Sequence, residues 1–309
     1  MYGYRRPHGQ TGEMLKQLFL GNSMLSRLIQ INTIVFLVIK IIGLFTYLLA
    51  IGHGDNSLPI SALGQYLALP ASWQLLASRP WTIITYMFLH EGFFHILFNL
   101  IMLYFGGILL TEYLGEKRLL WTYLAGGITG GLFYLVSFNI FPAFAQVKDI
   151  SMALGASASV LAIIVATATY IPDFTVQLLL FGRVKMKYIA IAFVAIDLLS
   201  IQSGNPGGHI AHLGGAFWGF IYAYTLKNGT DLYRFLHFSF YKKPFTSQKR
   251  SKSAGNQEFK RPLSDEEYNA RKIRKQQKID AILDKISKSG YSSLTKEEKE
   301  FLFKTSKKD

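Results

Sequence analysis

The sequence predicts an all-α membrane protein: a six-transmembrane-helix bundle with both termini on the cytoplasmic side. Three observations lead there. Half of the 309 residues are hydrophobic and only 17% are charged, less charge than a soluble domain of this size carries, and the mean hydropathy is positive at +0.23. The apolar residues are gathered into runs too long for ordinary core helices. Lysine and arginine alternate between one set of connecting loops and the other. The chain has no cysteine, which excludes disulfides and thiolate chemistry. No signal peptide is expected, because Arg5, Arg6, Lys16 and Arg27 are spread through polar sequence ahead of the first apolar run.

Residues 1–30 form a cytoplasmic N-terminal segment, with a short amphipathic piece at 14–20 suited to the membrane surface. The membrane core is expected over 31–226. Its first span, 31–51, covers roughly the 30 Å hydrocarbon layer at 1.5 Å per residue. Lys40 lies inside it and must face the bundle or snorkel. A long loop of mixed character, 52–80, precedes a second span from about Glu91 to Leu110, and 111–118 reads as a charged turn. The third span, 119–141, carries Gly126, Gly127, Gly130 and Gly131, a face of small residues for tight helix contact. The fourth, fifth and sixth spans are read at 150–171, 184–201 and 206–225, with an interfacial connection at 174–187.

Orientation follows from the loops. The N-terminal segment, the turn with Lys117 and Arg118, the turn with Arg183, Lys185 and Lys187, and the C-terminal tail are basic, while the alternate loops hold few cations. From Lys227 onward, 21 Lys and Arg face 11 Asp and Glu, so ten of the fourteen net positive charges lie in the tail. Residues 227–263 are a basic juxtamembrane segment and linker, with 232–245 expected on the anionic inner leaflet. Residues 264–309 form a small cytoplasmic helical appendage. Ser264 and Glu267 open one helix there, Gly290 stops it, and the stretch from Ser293 to Glu298 opens a second. The tail mixes acids with its bases and is tied to a membrane, so no nucleic-acid partner is assigned.

Polar residues inside the spans carry the chemistry. Ser157 stands among small residues, where packing alone could explain a serine. His212 changes that reading, since neutral histidine is the usual base for a serine nucleophile and an ionisable group inside a span is a functional candidate by default. Spans two, four and six all enter from the outer face. Counted from those span starts, Ser157, His212, Asn99 and His95 fall at one shallow depth, roughly 10 Å down. Ser157 is the candidate nucleophile and His212 its base. Asn99, His95 and the Ser157 backbone N–H are the candidate oxyanion donors. Gly155, Gly215 and Gly219 are expected to let helices close around the site. Nothing in this pair supplies a carboxylate to orient the histidine, so packing is expected to hold it. Asp197 is expected to bond a neighbouring helix rather than react, and His209 is assigned no chemistry.

The pattern His90, His95 and Asn99, then Gly155-Ala156-Ser157, then Ala211-His212 with Gly215 and Gly219, resembles the rhomboid family of intramembrane serine proteases, of bacterial type, over roughly 70–225. The resemblance implies a serine endopeptidase that cuts transmembrane-helix substrates near the outer face with Ser157 and His212, and places His95 and Asn99 at the oxyanion. It also implies that 52–80 is partly embedded beside the site and that span five gates it. Transmembrane proteins and the lipid bilayer are the implied partners, the bacterial cytoplasmic membrane the implied location, and no metal or other cofactor is required. The chain departs from the pattern at Ala158, where glycine is usual, and at Leu161, where an aromatic residue often stacks on the histidine. The alternative is a catalytically inactive relative that binds transmembrane helices without cutting them. A zinc protease is disfavoured because His90 and His95 are five apart and so lie on different helix faces. A transporter is disfavoured because no inverted repeat is visible.

Overall fold

The computed structural model describes residues 18–49, 62–178, 182–234 and scattered positions between 281 and 301. The chain divides into two units, Met1–Phe240 and Tyr241–Asp309. Six helices of at least 14 residues are found among the described residues of the first: α1 Met24–Leu49, α2 Phe93–Leu114, α3 Glu116–Ile140, α4 Ser157–Tyr170, α5 Met186–Leu199 and α6 Pro206–Lys227. Only α1, α2 and α3 are both long and apolar enough to cross a membrane unaided.

Helix α1 starts where the Ser23 hydroxyl accepts from the Ser26 N–H at 3.1 Å. It buries Leu25, Leu28, Ile29 and Asn32, one helical stripe, and leaves Ile34, Leu37, Ile41 and Phe45 exposed as a face suited to lipid. Lys40 donates to the Glu91 carbonyl at 2.6 Å, which gives its ammonium a partner beside the start of α2. Helices α2 and α3 are separated by Gly115 alone. Its φ of +89° closes α2 with a bond to the Thr111 carbonyl, a conformation that glycine adopts without strain. The charged turn expected at 111–118 is therefore helical on both sides of that one residue.

The layer at the centre is α4. Ala158 through Ala168 are all buried, as an apolar helix surrounded on every side must be. Its neighbours approach through glycine. On α3, a Cβ on Gly126 would collide with Ala162, and one on Gly130 would come within 2.6 Å of the Ala158 methyl. On α6, a Cβ on Gly215 or Gly219 would run into the carbonyl oxygens of Ala158 or Ala162. These contacts are close van der Waals packing, which is what draws helices together where lipid removes the hydrophobic driving force.

Two expectations at the helix boundaries are corrected. The fourth helix begins at Ser157, not near 150, because residues 151–155 are pinned in extended form. Leu69–Pro70 (β1) pairs antiparallel with Met152–Ala153 (β2), the Ala71 N–H reaches the Ser151 carbonyl at 3.0 Å, and Gly155 takes φ +130°. The fold is thus not purely helical. A second pair, Thr175–Leu178 (β3) with Gly182–Lys185 (β4), stands where a plain interfacial connection was expected and feeds directly into α5. At its base, Asp173 bonds both Lys185 (2.9 Å) and Lys187 (3.0 Å), which hold its carboxyl down at about 2.

The end of the bundle where α6 finishes also differs. Tyr233 is buried, stacks on Tyr222 at 4.0 Å and accepts from the Trp218 indole at 2.8 Å, while Asp231 pairs with Arg118 at 2.8 Å. The start of the segment expected on the inner leaflet therefore packs on the helical core instead, because an aromatic hydroxyl with two partners is better satisfied there. The rest of that segment, residues 14–17 of the surface piece, the loop from 52 to 61 and the cap at Ser264 lie outside the described residues. In the second unit, within the stretch expected to open a helix, the cap is Thr295. The Thr295 N–H meets the Glu298 carboxylate at 2.7 Å and the Glu298 N–H meets the Thr295 hydroxyl at 3.3 Å. Gly290, at φ +76°, ends the helical turn before it.

Candidate active site

Three helix beginnings meet at one end of the bundle. Ser157 is the first residue of α4, His212 lies two turns into α6, and Asn99 lies two turns into α2. The Ser157 hydroxyl and His212 Nε2 are 2.6 Å apart, with both side chains half-buried and reachable. Local sequence explains the alignment. Pro206 at the first position of α6 suits a helix start, and the Asn205 side chain accepts from the Gly208 N–H at 3.0 Å. Gly215 and Gly219 then bring α6 onto α4, so that His212 is delivered to the end of α4 that carries Ser157.

Gly155 is the hinge of the site. Its positive φ suits glycine alone among the residue types, and its N–H donates to the Tyr86 carbonyl at 3.0 Å. A Cβ there would stand 3.0 Å from His95 Nε2 and 3.4 Å from the Ser157 hydroxyl, so the missing side chain leaves the space between the two groups open. Because Ser157 opens α4, its backbone N–H belongs to the first turn, where amides have no intrahelical acceptor. Asn99 is buried, and one of its two amide hydrogens goes to the His95 carbonyl at 2.9 Å; the second remains for another acceptor. His95 meets His90 edge-on at 5.1 Å, and His90 is buried in the loop ahead of α2.

The depth count that aligned these residues needs revision. Ser157 reaches its level through an extended segment and not through seven helical residues, so rise per residue cannot be applied along 150–156. Non-helical backbone is tolerated at membrane depth where protein covers it, and β1 provides that cover.

Asp197 bonds a neighbouring helix, as expected, but its partners there are the two histidines of α6. Asp197 Oδ1 lies 2.8 Å from His212 Nδ1 and 2.8 Å from His209 Nδ1, and its side chain is only 9% exposed. The expectation that packing alone holds His212 is therefore corrected, and His209, which was assigned no chemistry, shares the same oxygen. Met186, Ala190 and Asp197 are the buried residues of α5 and fall on one stripe, so the aspartate faces inward; the signal in the sequence was an acid within an apolar run. Asp197, His209 and His212 also offer three ligand atoms within 4.8 Å of one another, the one such cluster among the described residues. Each of these atoms already has a hydrogen-bonding partner in another member of the cluster.

Residues 77–229 match the model of the rhomboid domain. The chain carries a rhomboid domain. With its apolar helices, this makes it an integral membrane protein. Residues 264–308 match a family of unknown function (DUF6576). Over 149 residues the chain is 36% identical to RHOMBOID-like protein 12, mitochondrial, of Arabidopsis thaliana, covering 45% of this chain and 44% of that one. It is 33% identical over 93 residues to Inactive RHOMBOID-like protein 8 of the same plant, covering 29% of this chain and 26% of the other. The chain thus spans less than half the length of these relatives.

Proposed function

We propose that this rhomboid protein is an intramembrane serine endopeptidase that cuts transmembrane-helix substrates near the outer face of the bilayer. The observation that carries the reading is the 2.6 Å contact between the Ser157 hydroxyl and His212 Nε2 at the end where α2, α4 and α6 begin. His212 takes the hydroxyl proton as Ser157 Oγ bonds to the peptide carbonyl carbon, and the carbonyl electrons move onto oxygen. On collapse the C–N bond breaks, and His212 returns the proton to the departing amine. Water then attacks the acyl-enzyme with the same base. The oxyanion is held by the Ser157 N–H with the free amide hydrogen of Asn99 and the His95 ring, donors fixed before the charge appears.

The further organisation belongs to the same proposal. The six helices serve as six spans with both termini cytoplasmic, supported by the alternating basic loops. Helices α4 and α5, at 14 residues each, are about 21 Å long and need their extended neighbours to complete a crossing. A bacterial cytoplasmic membrane has no support from the relatives, which are plant proteins, one of them mitochondrial by name.

The second reading is a helix-binding protein without activity, favoured by one observation, the relative whose name calls it inactive. Labelling of the detergent-solubilised full chain by a fluorophosphonate separates the two. The native chain is expected to label and Ser157→Ala to stay blank. A folded native chain that does not label overturns the protease reading and leaves the binding one.

A further inference from the structure

We propose that Asp197 is a positioning residue for His212, so that the site works as a serine–histidine–aspartate relay and not as a pair. This rests on the reading of Ser157 as nucleophile. The geometry has three parts. The Asp197 carboxylate oxygen is 2.8 Å from His212 Nδ1, and the opposite ring nitrogen is 2.6 Å from the Ser157 hydroxyl. A carboxylate accepts only, so His212 must carry its proton on Nδ1, which leaves Nε2 bare to receive the proton of Ser157. The carboxylate is nearly sealed from solvent, with 9% of its side chain exposed, and a buried carboxylate needs partners of this kind.

His209 completes the arrangement. Its Nδ1 reaches the same oxygen at 2.8 Å, and its ring stands edge-on to His212 at 6.0 Å and 84°. Two N–H donors from one helix fix the carboxylate against α6, so it cannot swing to a different acceptor geometry. The residue one turn beyond the nucleophile is Leu161, an aliphatic side chain that offers no hydrogen bond to a ring. Orientation of His212 therefore falls to Asp197. An acid inside an otherwise apolar helix is costly, and holding His212 gives Asp197 a role that offsets the cost.

A plain staple between α5 and α6 would show the same contacts, so the test separates charge and tautomer from fold. The limiting rate of fluorophosphonate inactivation and the half-saturating concentration are measured on the full-length native chain, Ser157→Ala, Asp197→Asn and Asp197→Glu, each normalised to folded protein and paired with a melting curve. An asparagine can donate to His212 Nδ1 and so stabilise the wrong tautomer while still bridging the helices. The expected result for Asp197→Asn is a limiting rate lower by about 100-fold or more, an unchanged half-saturating concentration, and a melting curve like the native one. Asp197→Glu should recover at least tenfold over the asparagine variant. Should Asp197→Asn fail to fold, Asp197→Ala, which suits a membrane helix better, must show the same drop in limiting rate. Native limiting rates in the neutral variants overturn the proposal, as does a loss confined to stability. A folded native chain that does not label overturns the protease reading and this inference together. A labelled native chain with an unaffected asparagine variant overturns this inference alone.

Discussion

Gly215 on α6 lies against the Ala158 carbonyl of α4 at a separation that leaves no room for a Cβ. That contact sets how near His212 comes to Ser157, since both residues stand within one turn of it. Gly215→Ala is expected to push α6 outward, with an overpacking cost of about 1–3 kcal/mol, partly offset by alanine's better helix propensity of about 1 kcal/mol. Labelling per folded molecule should fall sharply. Gly92→Ala, with nothing within 4 Å of the added methyl, should behave as native. Melting curves and labelling of the two variants check this, and equal labelling would show that Gly215 does not set the approach of His212 to Ser157.

Ser157 and His212 should fail as a unit. Each single alanine variant is expected to lose nearly all cleavage of a tagged single-span substrate, and the double variant little more, because both act in one proton transfer. Ser159 provides the control. It is fully buried, and its hydroxyl has Met87 Sδ at 3.9 Å as neighbour, so Ser159→Ala should still cleave. Retained cleavage by Ser157→Ala would end the assignment.

Asn99→Ala should lower kcat by roughly 100-fold, the usual cost of one oxyanion donor, while leaving KM for the same substrate close to native. A rise in KM at constant kcat would show that Asn99 binds substrate rather than the developing charge.

Ala158→Gly tests the departure from the usual motif. The Ala158 methyl packs against Gly130 on α3 and is 1% exposed, so it fills a helix contact and not the approach to Ser157. The substitution should cost about 1 kcal/mol in helix propensity and up to about 1 kcal/mol more for the lost methyl contact. Labelling should persist. A lower melting temperature with labelling intact is the expected pair of results, and a gain in labelling without loss of stability would contradict the packing role.

Truncation should depend on where the cut falls. Ending the chain after Phe240 keeps Asp231 with Arg118 and Tyr233 against Tyr222, and should preserve both melting temperature and cleavage. Ending it after Asn228 removes both contacts and should lower the melting temperature measurably. Equal stability of the two truncated chains would show that the Tyr233 contacts are ornamental.

By itself the sequence determined the apolar character of the chain, the placing of its six longer helices to within a few residues at most ends, and the two reacting candidates, Ser157 and His212. These are local properties. A run of apolar residues, a proline at a helix start and a glycine beyond a helix end act through their own backbone and their immediate solvent, so they can be read one stretch at a time. The tertiary structure alone decided the rest. Met152 and Ala153 are extended because β1, more than eighty positions earlier, pairs with them, and no count along 150–171 could reveal a partner so distant in the chain. Asp197 was expected to bond a neighbouring helix, but nothing in the sequence named His212 as the partner. Its place beside His212 depends on how α5 folds back against α6, a relation between two helix faces that exists only once both are packed.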